Sequence, residues 1–285
     1  MTESSSHLRF CCFPPSNRPP VPESSSNGSR VIWHGGLPYT IEDGCEHDNY
    51  SYVETDVELT PEVNVKVMEQ PSRPSIAAVL WPSGRLLARA IVERLVVLPS
   101  KGRVIEIGAG VGLPSLAAAK TYPELDVTVT DRPEVLGLIS ANIKANNLQE
   151  HASAEGFDWS SKVHHDKIRA QHWDVVLAAD VVYFEEQDPL LYALSAVAED
   201  RPDTLVVLAY RTRTPEDLEY LQERVLSAFN VVDRFTMEEP GSGRSEILSL
   251  RWAGIQRPLV YGELRLATLA SYRELSPFPP GVGTF

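Results

Sequence analysis

One stretch of the chain, residues 103–131 with the sequence RVIEIGAGVGLPSLAAAKTYPELDVTVTD, limits the possible fold more than any other. Its first apolar run is short, is rich in β-branched residues and stops at a glycine, which predicts a buried strand. A turn with three glycines follows, and residues 113–120 have the pattern of a helix with proline near its first position. A second apolar strand then ends in Asp131. The stretch therefore predicts a β-turn-α-β unit.

The glycine turn, which we define as residues 108–112, is the candidate ligand site of this unit. Bare backbone and a helix N-terminus meet there at the carboxyl edge of the first strand, where a ligand can approach closely. Asp131 is predicted at the carboxyl end of the second strand, and its carboxylate can accept hydrogen bonds from two ribose hydroxyls. We therefore expect a nucleoside-containing cofactor.

The spacing of the glycines separates two classes of cofactor. A dinucleotide site has the pattern G-x-G-x-x-G, whose third glycine would fall on Leu113. The chain instead has E-x-G-x-G-x-G, in which Glu106 precedes Gly108, Gly110 and Gly112. This spacing disfavours an NAD-dependent dehydrogenase and resembles the first motif of class I S-adenosylmethionine-dependent methyltransferases. An acidic group also suits the sulfonium and ammonium charges of that cofactor. The alternative is a glycine turn that only packs an ordinary α/β domain.

Length and composition fit one large domain, or one domain with extensions, because 285 residues that are 43% hydrophobic can bury a sizeable core. The three cysteines form no repeated C-x-x-C pair, so we expect neither a disulfide framework nor a metal site. No apolar run has the length of a membrane span, and the first residues lack the apolar region of a signal peptide. We expect no membrane partner. The expected compartment is the cytoplasm, with the nucleus as the alternative.

The formal net charge is −13, from 26 basic and 39 acidic side chains. A strongly acidic surface repels phosphate backbones and the chain has no basic patch, so we do not expect a nucleic-acid partner. A protein with a basic surface would be attracted instead. Solubility explains the charge equally well.

The chain divides into four predicted segments. Residues 1–30 are rich in serine and proline and lack an apolar period, so we expect them to be disordered. Residues 31–75 are expected to form an N-terminal β-hairpin extension, since alternating patterns at 50–53 and 63–67 predict two strands. The other two segments are an S-adenosylmethionine-binding domain, residues 76–255, and a C-terminal extension, residues 256–285.

Further strands and helices complete the predicted sheet. Ser83 is the predicted N-cap of a helix before the glycine turn, because apolar residues repeat at helical spacing after it. The later strands are predicted at 152–155, 174–179, 204–210, 231–236 and 247–252. With the two strands of 103–131 the count is seven. The predicted fold class is therefore α/β, with a doubly wound, mostly parallel seven-stranded sheet of the Rossmann-like type.

Two loops at the carboxyl edge of the predicted sheet carry further candidate site residues. After the third strand, Asp158 can accept a hydrogen bond from the exocyclic amine of a base, and Phe157 or Trp159 can cover the ring face. After the fourth strand come Asp180 and Tyr183, in the place where ligands of open α/β sheets bind. For Asp180 there is an alternative, because its carboxylate could instead cap the following helix.

Taken together, these motifs resemble those of the METTL-type seven-β-strand protein-lysine methyltransferases over about residues 50–255. The matching pieces are LWPSG at 80–84, VIEIGAGVGLP at 104–114, VTD at 129–131, FDW at 157–159 and AADVVY at 178–183. The last piece is the most discriminating, since the family carries a D-x-x-[FY] signature there. The segments before and after this region have no counterpart that we can place in the family.

The resemblance implies a role for individual residues. It implies that two tryptophans flank S-adenosylmethionine, that the glycine turn lines it and that an acidic residue binds its ribose. The cofactor-binding residues are then Trp81, Gly108, Ala109, Gly110, Asp131, Trp159 and Ala179, to which the motif and the loop add Glu106, Gly112 and Asp158. The catalytic residues that border the acceptor are Asp180 and Tyr183.

The expected acceptor is the ε-amine of a lysine in a protein substrate, and we expect a monomeric enzyme. A lysine with a reference pKa of about 10.4 must lose a proton before it attacks a methyl group. Asp180 would orient the amine by accepting a hydrogen bond, and Tyr183 would stack beside the alkyl stem. The alternatives are a methyltransferase of a small amine or another protein side chain, and a non-catalytic adaptor that retains the fold. The intact glycine turn, Asp131 and Asp180 weigh against the adaptor.

Overall fold

Two antiparallel hairpins precede the main sheet. The computed structural model describes residues 29–34, 37–42, 52–73, 75–182, 189–239 and 243–253. The first hairpin pairs β1 (Ser29–His34) with β2 (Leu37–Glu42), and the second pairs β3 (Val53–Thr60) with β4 (Val63–Glu69). Of the tail expected to be disordered, only Ser29 and Arg30 are described, and they begin β1. The predicted C-terminal extension lies outside the described residues.

The first strand of the second hairpin extends beyond the stretch in which the sequence pattern predicts it. Of the predicted strand at 50–53, residues 50 and 51 lie outside the described residues, Tyr52 precedes the strand, and β3 begins at Val53. Burial starts further along, since Val57 and Leu59 are buried whereas Tyr52 and Val53 are exposed. The core-facing side of β3 is therefore formed by later residues than the pattern predicts.

The main sheet of the described residues has seven strands. They are β5 (Lys101–Ile107), β6 (Glu124–Asp131), β7 (Ala152–Gly156), β8 (Val175–Ala179), β9 (Leu205–Tyr210), β10 (Phe229–Glu239) and β11 (Gly243–Trp252). The order is β10-β11-β9-β8-β5-β6-β7, in which β11 is antiparallel to both neighbours and the other pairs are parallel. The predicted seven-stranded, mostly parallel α/β sheet is confirmed. The chain direction across the sheet reverses between β5 and β8, which is where open α/β sheets bind ligands.

Six α-helices accompany these strands in the described part of the chain. They are α1 (Pro82–Val92), α2 (Leu113–Thr121), α3 (Leu136–Ala145), α4 (Lys162–Arg169), α5 (Pro189–Ala198) and α6 (Pro215–Tyr220). The prediction that Ser83 caps α1 is wrong, because the helix begins at Pro82 and Trp81 is its N-cap residue without a side-chain cap bond. Proline suits the first helical position, where its missing N–H removes no helical hydrogen bond.

The core lies where the parallel strands meet the helices. Val104, Ile105 and Ile107 of β5 are 0% exposed, as expected for a strand covered on both faces. Val65 and Val67 of β4 belong to the same hydrophobic cluster as Val104, so the second hairpin packs on this core. Within the described ranges, we find no helix that is both long enough and apolar enough to cross a membrane.

Candidate active site

The glycine turn keeps its shape only with glycine at alternate positions. Gly108, Gly110 and Gly112 have φ angles of 63°, 55° and 79°, in the left-handed region that other residues disfavour. A Cβ atom added at Gly108 would lie 2.8 Å from Cζ2 of Trp159 and 2.9 Å from Cγ1 of Val181. The turn between β5 and α2 therefore packs directly against the loop that follows β7.

Asp131, at the end of β6, is joined to the glycine turn by a hydrogen bond. Its Oδ2 accepts from the N–H of Gly110 at 2.8 Å, and its Oδ1 accepts from the N–H of Arg132 at 2.7 Å. The residue is 7% exposed, and burial raises the pKa of its carboxyl although these N–H groups oppose the rise. The carboxylate is thus fixed in one orientation, and each oxygen keeps a second lone pair for a ligand hydroxyl.

Glu106, the acidic residue of the E-x-G-x-G-x-G motif, lies behind the turn. It is 1% exposed, and its Oε2 accepts a hydrogen bond from the N–H of Ser115, in the first turn of α2, at 3.0 Å. Burial raises the pKa of Glu106 to about 8, hydrogen bonding from Ser115 opposes this rise and the charge of Asp131 adds to it. Glu106 therefore braces the helix that begins at the turn, and its direct contact with a cofactor stays a prediction.

The two aromatic residues of the loop after β7 have different surroundings. Phe157 is 1% exposed and packs edge-on against the ring of His165, with 5.4 Å between the ring centroids. Trp159 is partly buried, and its ring edge lies against Gly108. Of the two residues predicted to cover a base, Trp159 is therefore the one that faces the glycine turn.

Helix α4 holds this loop through two consecutive histidines that the sequence analysis did not single out. The N–H of Asp158 donates to Nδ1 of His164 at 2.9 Å, and Nε2 of His165 lies 2.7 Å from the carbonyl oxygen of Trp159. The Oδ1 atom of Asp158 accepts from the hydroxyl and the N–H of Ser160, and these bonds lower the pKa of its carboxyl. One carboxylate oxygen of Asp158 is thus occupied by Ser160. The contact of Asp158 with the base of a cofactor stays a prediction.

Trp81 is fixed immediately before α1. Its indole Nε1 donates to the carbonyl oxygen of Ile76 at 2.6 Å. The N–H of the preceding Leu80 donates to Oε1 of Glu69 at 2.6 Å. The guanidinium of Arg213 lies 5.1 Å from the ring centroid, which is within the distance of a cation–π contact. These contacts set the position of the ring.

Asp180 follows β8 and connects two distant parts of the chain. Its Oδ2 accepts from the N–H of Ser83 in the first turn of α1 at 2.6 Å, and its Oδ1 pairs with Nη2 of Arg213 at 2.8 Å. The side chain is 2% exposed, and the φ angle of 56° is uncommon for a residue other than glycine. Asp180 therefore accepts a hydrogen bond from the N-terminus of α1, a helix that precedes it in the chain. The alternative from the sequence was that its carboxylate caps the following helix.

The other predicted residues of this region are Ala179 and Tyr183. Ala179 ends β8, and its Cβ lies 4.0 Å from the position of a Cβ added at Gly84 of α1. Tyr183 lies outside the described residues, so its place beside the acceptor stays a prediction.

The structure brings the main predicted residues to one edge of the sheet. The glycine turn and Asp180 directly follow β5 and β8, and Asp131 is the last residue of β6, the other neighbour of β5 in the sheet. Arg213, which belongs to none of the sequence motifs, lies in the loop after β9, the next parallel strand. Ligands of open α/β sheets bind at the carboxyl ends of the strands, and this rule makes Arg213 a candidate site residue as it does Asp180.

Comparison with known proteins shows to which family the chain is related. A family model described as "Lysine methyltransferase" matches residues 59–225, more than half of the chain. "Protein N-lysine methyltransferase METTL21A" of Danio rerio is 32% identical over 163 residues, which are 56% of this chain and 72% of that protein. "Histone-arginine methyltransferase METTL23" of Rattus norvegicus is 30% identical over 142 residues, which are 48% of this chain and 60% of that protein.

A solved structure supports the fold. A SAM-dependent methyltransferase from Streptococcus mutans superposes with a TM-score of 0.51 at 12% identity, covering 75% of this chain and 58% of that chain. The family match includes the glycine turn, Asp131, Asp180 and Arg213. With this match over more than half of its length, the chain belongs to the lysine methyltransferase family, and its methyl donor is S-adenosylmethionine.

Proposed function

We propose that this chain methylates the ε-amine of a lysine in a protein substrate and that the site described above performs the reaction. The observation that carries the proposal is the 2.8 Å hydrogen bond from the Gly110 N–H to Asp131 Oδ2. It fixes a carboxylate suited to ribose hydroxyls beside the bare backbone of the glycine turn. Membership of the methyltransferase family supports the reaction, and the contacts support the roles of single residues.

The residues on the cofactor side fit S-adenosylmethionine. The glycine turn offers backbone without bulk at the N-terminus of α2, Asp131 keeps free lone pairs for hydroxyls, and Trp159 offers an aromatic ring beside the turn. When bound, S-adenosylmethionine supplies an electrophilic methyl group on a positively charged sulfur. The proposed cofactor-binding residues are Trp81, Gly108, Ala109, Gly110, Asp131, Asp158, Trp159 and Ala179, with Glu106 and Gly112 supporting the turn.

On the acceptor side, Asp180 is proposed to orient the lysine amine. Its oxygens already accept from Ser83 and pair with Arg213, so Asp180 is poorly suited to act as a strong base. Each oxygen still has a lone pair with which to accept a hydrogen bond from an amine. Burial at this position favours the neutral over the charged form of a lysine. Tyr183 is proposed to lie beside the alkyl stem.

An acidic face on the second hairpin supports a basic protein substrate. Glu54, Asp56 and Glu58 are exposed on β3, and Lys66 of β4 pairs with Glu54 at 2.8 Å. An acidic surface attracts a basic one and speeds their encounter. The proposed substrate therefore carries basic residues that this acidic face can attract.

We also propose that the enzyme is a monomer and acts in the cytoplasm.

The likeness to METTL23 raises an arginine acceptor as a second candidate. The geometry at Asp180 favours lysine over it. Asp180 already holds the guanidinium of Arg213 at 2.8 Å, and a second guanidinium beside it would meet like charge. A lysine amine can enter in its neutral form, whereas a guanidinium stays charged.

Calorimetric titration of S-adenosylmethionine into the full chain tests the cofactor site. We expect the wild type to bind, Asp131→Ala to bind at least about tenfold more weakly because the ribose acceptor is lost, and NAD to give no signal. A wild type that does not bind S-adenosylmethionine would contradict the site and favour the non-catalytic adaptor.

Transfer of a labelled methyl group into a protein extract then identifies the acceptor. Label recovered as methyl-lysine after hydrolysis of the protein supports the proposal, and label recovered as methyl-arginine supports the second candidate. Label that enters only low-molecular-weight material would show a small-amine methyltransferase.

A further inference from the structure

Two asparagines one helical turn apart bind the backbone of β4: Asn142 lies in α3, and Asn146 is the C-cap residue of that helix. The Oδ1 atom of Asn142 accepts from the N–H of Met68 at 2.6 Å, and its Nδ2 donates to the carbonyl oxygen of Met68 at 3.0 Å. Asn146 repeats this pattern at Lys66, with distances of 3.0 Å and 2.7 Å. Lys66 and Met68 are alternate residues of β4, so the two amides bind the hairpin much as a neighbouring strand would.

Only one of the two asparagines also reaches the glycine turn. The Nδ2 atom of Asn142 donates a second hydrogen bond, at 3.0 Å, to the carbonyl oxygen of Val111. The corresponding atom of Asn146 instead donates to the carbonyl oxygen of Asn142, in the last turn of α3, at 2.9 Å. Asn142 is 0% exposed, so these bonds use both of its amide protons away from water.

Val111 is the point at which the turn needs such support. It lies between Gly110 and Gly112, whose φ angles are both positive. Glycine allows this backbone conformation but does not enforce it, because a glycine residue can adopt many other φ and ψ angles. A buried hydrogen bond to the carbonyl of Val111 selects one of them.

The same end of β4 contacts a second wall of the site. Glu69 accepts from the N–H of Leu80, and the N–H of Gln70 donates to the carbonyl oxygen of Ala78 at 2.8 Å. These residues lead into Trp81. The end of β4 is thus connected both to the segment before Trp81 and, through Asn142, to the glycine turn.

We propose that Asn142 is a positioning residue for the S-adenosylmethionine site, because its buried amide ties β4 to the glycine turn and fixes the conformation of that turn. The inference rests on the proposed function, since it takes the turn to be part of the cofactor site. A purely structural role would be different, because Asn142 would then hold the hairpin as Asn146 does and would not affect the cofactor.

The matched variants Asn142→Ala and Asn146→Ala of the full chain separate these roles. Both remove a pair of hydrogen bonds to β4, and we expect both to lower the melting temperature. Only Asn142→Ala removes the bond to Val111, so we expect its Kd for S-adenosylmethionine to rise about tenfold, while that of Asn146→Ala stays within about twofold of the wild type. Equal Kd values for the two variants would overturn the inference.

Amide hydrogen exchange of the wild type provides a second measurement if Asn142→Ala does not fold. Saturation with S-adenosylmethionine should slow exchange in peptides that cover Met68 as well as in those that cover the glycine turn. Protection of the turn without any change at Met68 would overturn the inference while leaving the cofactor site intact. A wild type that does not bind S-adenosylmethionine would overturn the proposed function, and this inference with it.

Discussion

The cofactor side and the acceptor side of the site are assembled over very different distances along the chain. On the cofactor side, Gly110 and Asp131 are 21 residues apart, and all their connecting elements belong to one β-turn-α-β unit. On the acceptor side, Asp180 bonds to Ser83, 97 residues away, and the hydroxyl of Ser83 lies 3.1 Å from that of Ser245, 162 residues away. The Gly110–Asp131 pair thus lies within one local unit, although Trp81 and Trp159 of the cofactor side come from outside it, whereas the contacts of Asp180 require the whole sheet to be in place.

This difference gives the two sides different expected responses to substitution. A change in the glycine turn acts where a nucleoside cofactor is expected, so it should alter the Kd for S-adenosylmethionine. A change at Asp180 acts beyond the end of β8, so it should alter turnover and leave that Kd nearly unchanged. Each of the following predictions tests or refines this separation.

The largest effect is expected for Gly108→Ala. The new Cβ would lie 2.8 Å from Trp159 at a φ of 63°, so either the turn or the tryptophan must move. We expect affinity for S-adenosylmethionine in calorimetry to fall at least about 100-fold, and the free energy of unfolding to fall by about 1–3 kcal/mol.

Gly137→Ala is the matched control for this substitution. Gly137 lies in α3, and a Cβ added there meets no atom within 4 Å. Alanine is the better helix former, so this variant should bind S-adenosylmethionine normally and be stabilised by about 0.5–1 kcal/mol. Normal binding by Gly108→Ala as well would remove the turn from the cofactor site.

Asp180→Ala is expected to have the second-largest effect. Without the carboxylate, nothing at this position orients the acceptor amine, so we expect kcat to fall about 100-fold. The Kd for S-adenosylmethionine should stay within about threefold of the wild type. Single-turnover transfer and calorimetry on the same preparation measure both quantities. An equal loss of affinity and turnover would contradict the separation of the two sides.

Asp180→Asn distinguishes orientation of the amine from support of α1. Its amide oxygen can still accept from the N–H of Ser83, but its charge no longer pairs with Arg213. We expect the asparagine variant to recover most of the stability lost in Asp180→Ala but to remain slow. Full recovery of turnover would mean that Asp180 matters only as a support for the helix.

The distance over which each contact acts also explains which features the sequence could predict. The sequence predicts the unit at 103–131 because its strand, glycine turn and terminal Asp131 are contiguous and each has a pattern of its own. The count of seven strands followed from short apolar runs of the same kind. Asp180 was placed correctly at the edge of the sheet because that edge is fixed by strand order.

Features that depend on contacts between residues far apart in the sequence have no local sequence pattern that predicts them. The sequence predicts Ser83 as a helix cap, but the helix begins at Pro82. The N–H of Ser83 instead donates to the carboxylate of Asp180, which is 97 residues away. The helical pattern of the sequence includes Asn142, but nothing in that pattern indicates that its side chain binds β4. The sequence gives residue types at such positions, and only the tertiary structure gives their partners.

Glu106 and Asp180 sharpen the comparison, because both are buried carboxylates with opposite surroundings. Asp180 has the guanidinium of Arg213 at 2.8 Å, whereas among the described residues no ion pair reaches Glu106. Burial therefore raises the pKa of Glu106 from its ordinary value of 4.5 to about 8. Between these two values the folded state keeps a proton that the unfolded state has lost.

A change in the pH dependence of stability follows for Glu106→Gln. Because the folded state binds this proton more tightly, the protonated Glu106 stabilises the folded state. Its contribution to the free energy of unfolding is fully present below pH 4.5 and is lost as the pH rises through about 8. The free energy of unfolding of the wild type should thus fall from pH 5 to pH 9, and the deprotonation of Glu106 should account for on the order of 4 kcal/mol of this fall. Glutamine can still accept from the N–H of Ser115, so the variant should show a flatter profile and be the more stable protein at pH 9.

Urea unfolding at several pH values measures these profiles, with Glu124→Gln, an exposed residue of β6, as the control. The control should keep the slope of the wild type, and the same slope in Glu106→Gln would exclude a protonated Glu106. The affinity of Glu106→Gln for S-adenosylmethionine then decides how this carboxylate serves the cofactor side. A Kd within about threefold of the wild type fits a brace behind the turn, whereas a loss of about tenfold or more would indicate that its charge acts on the cofactor directly.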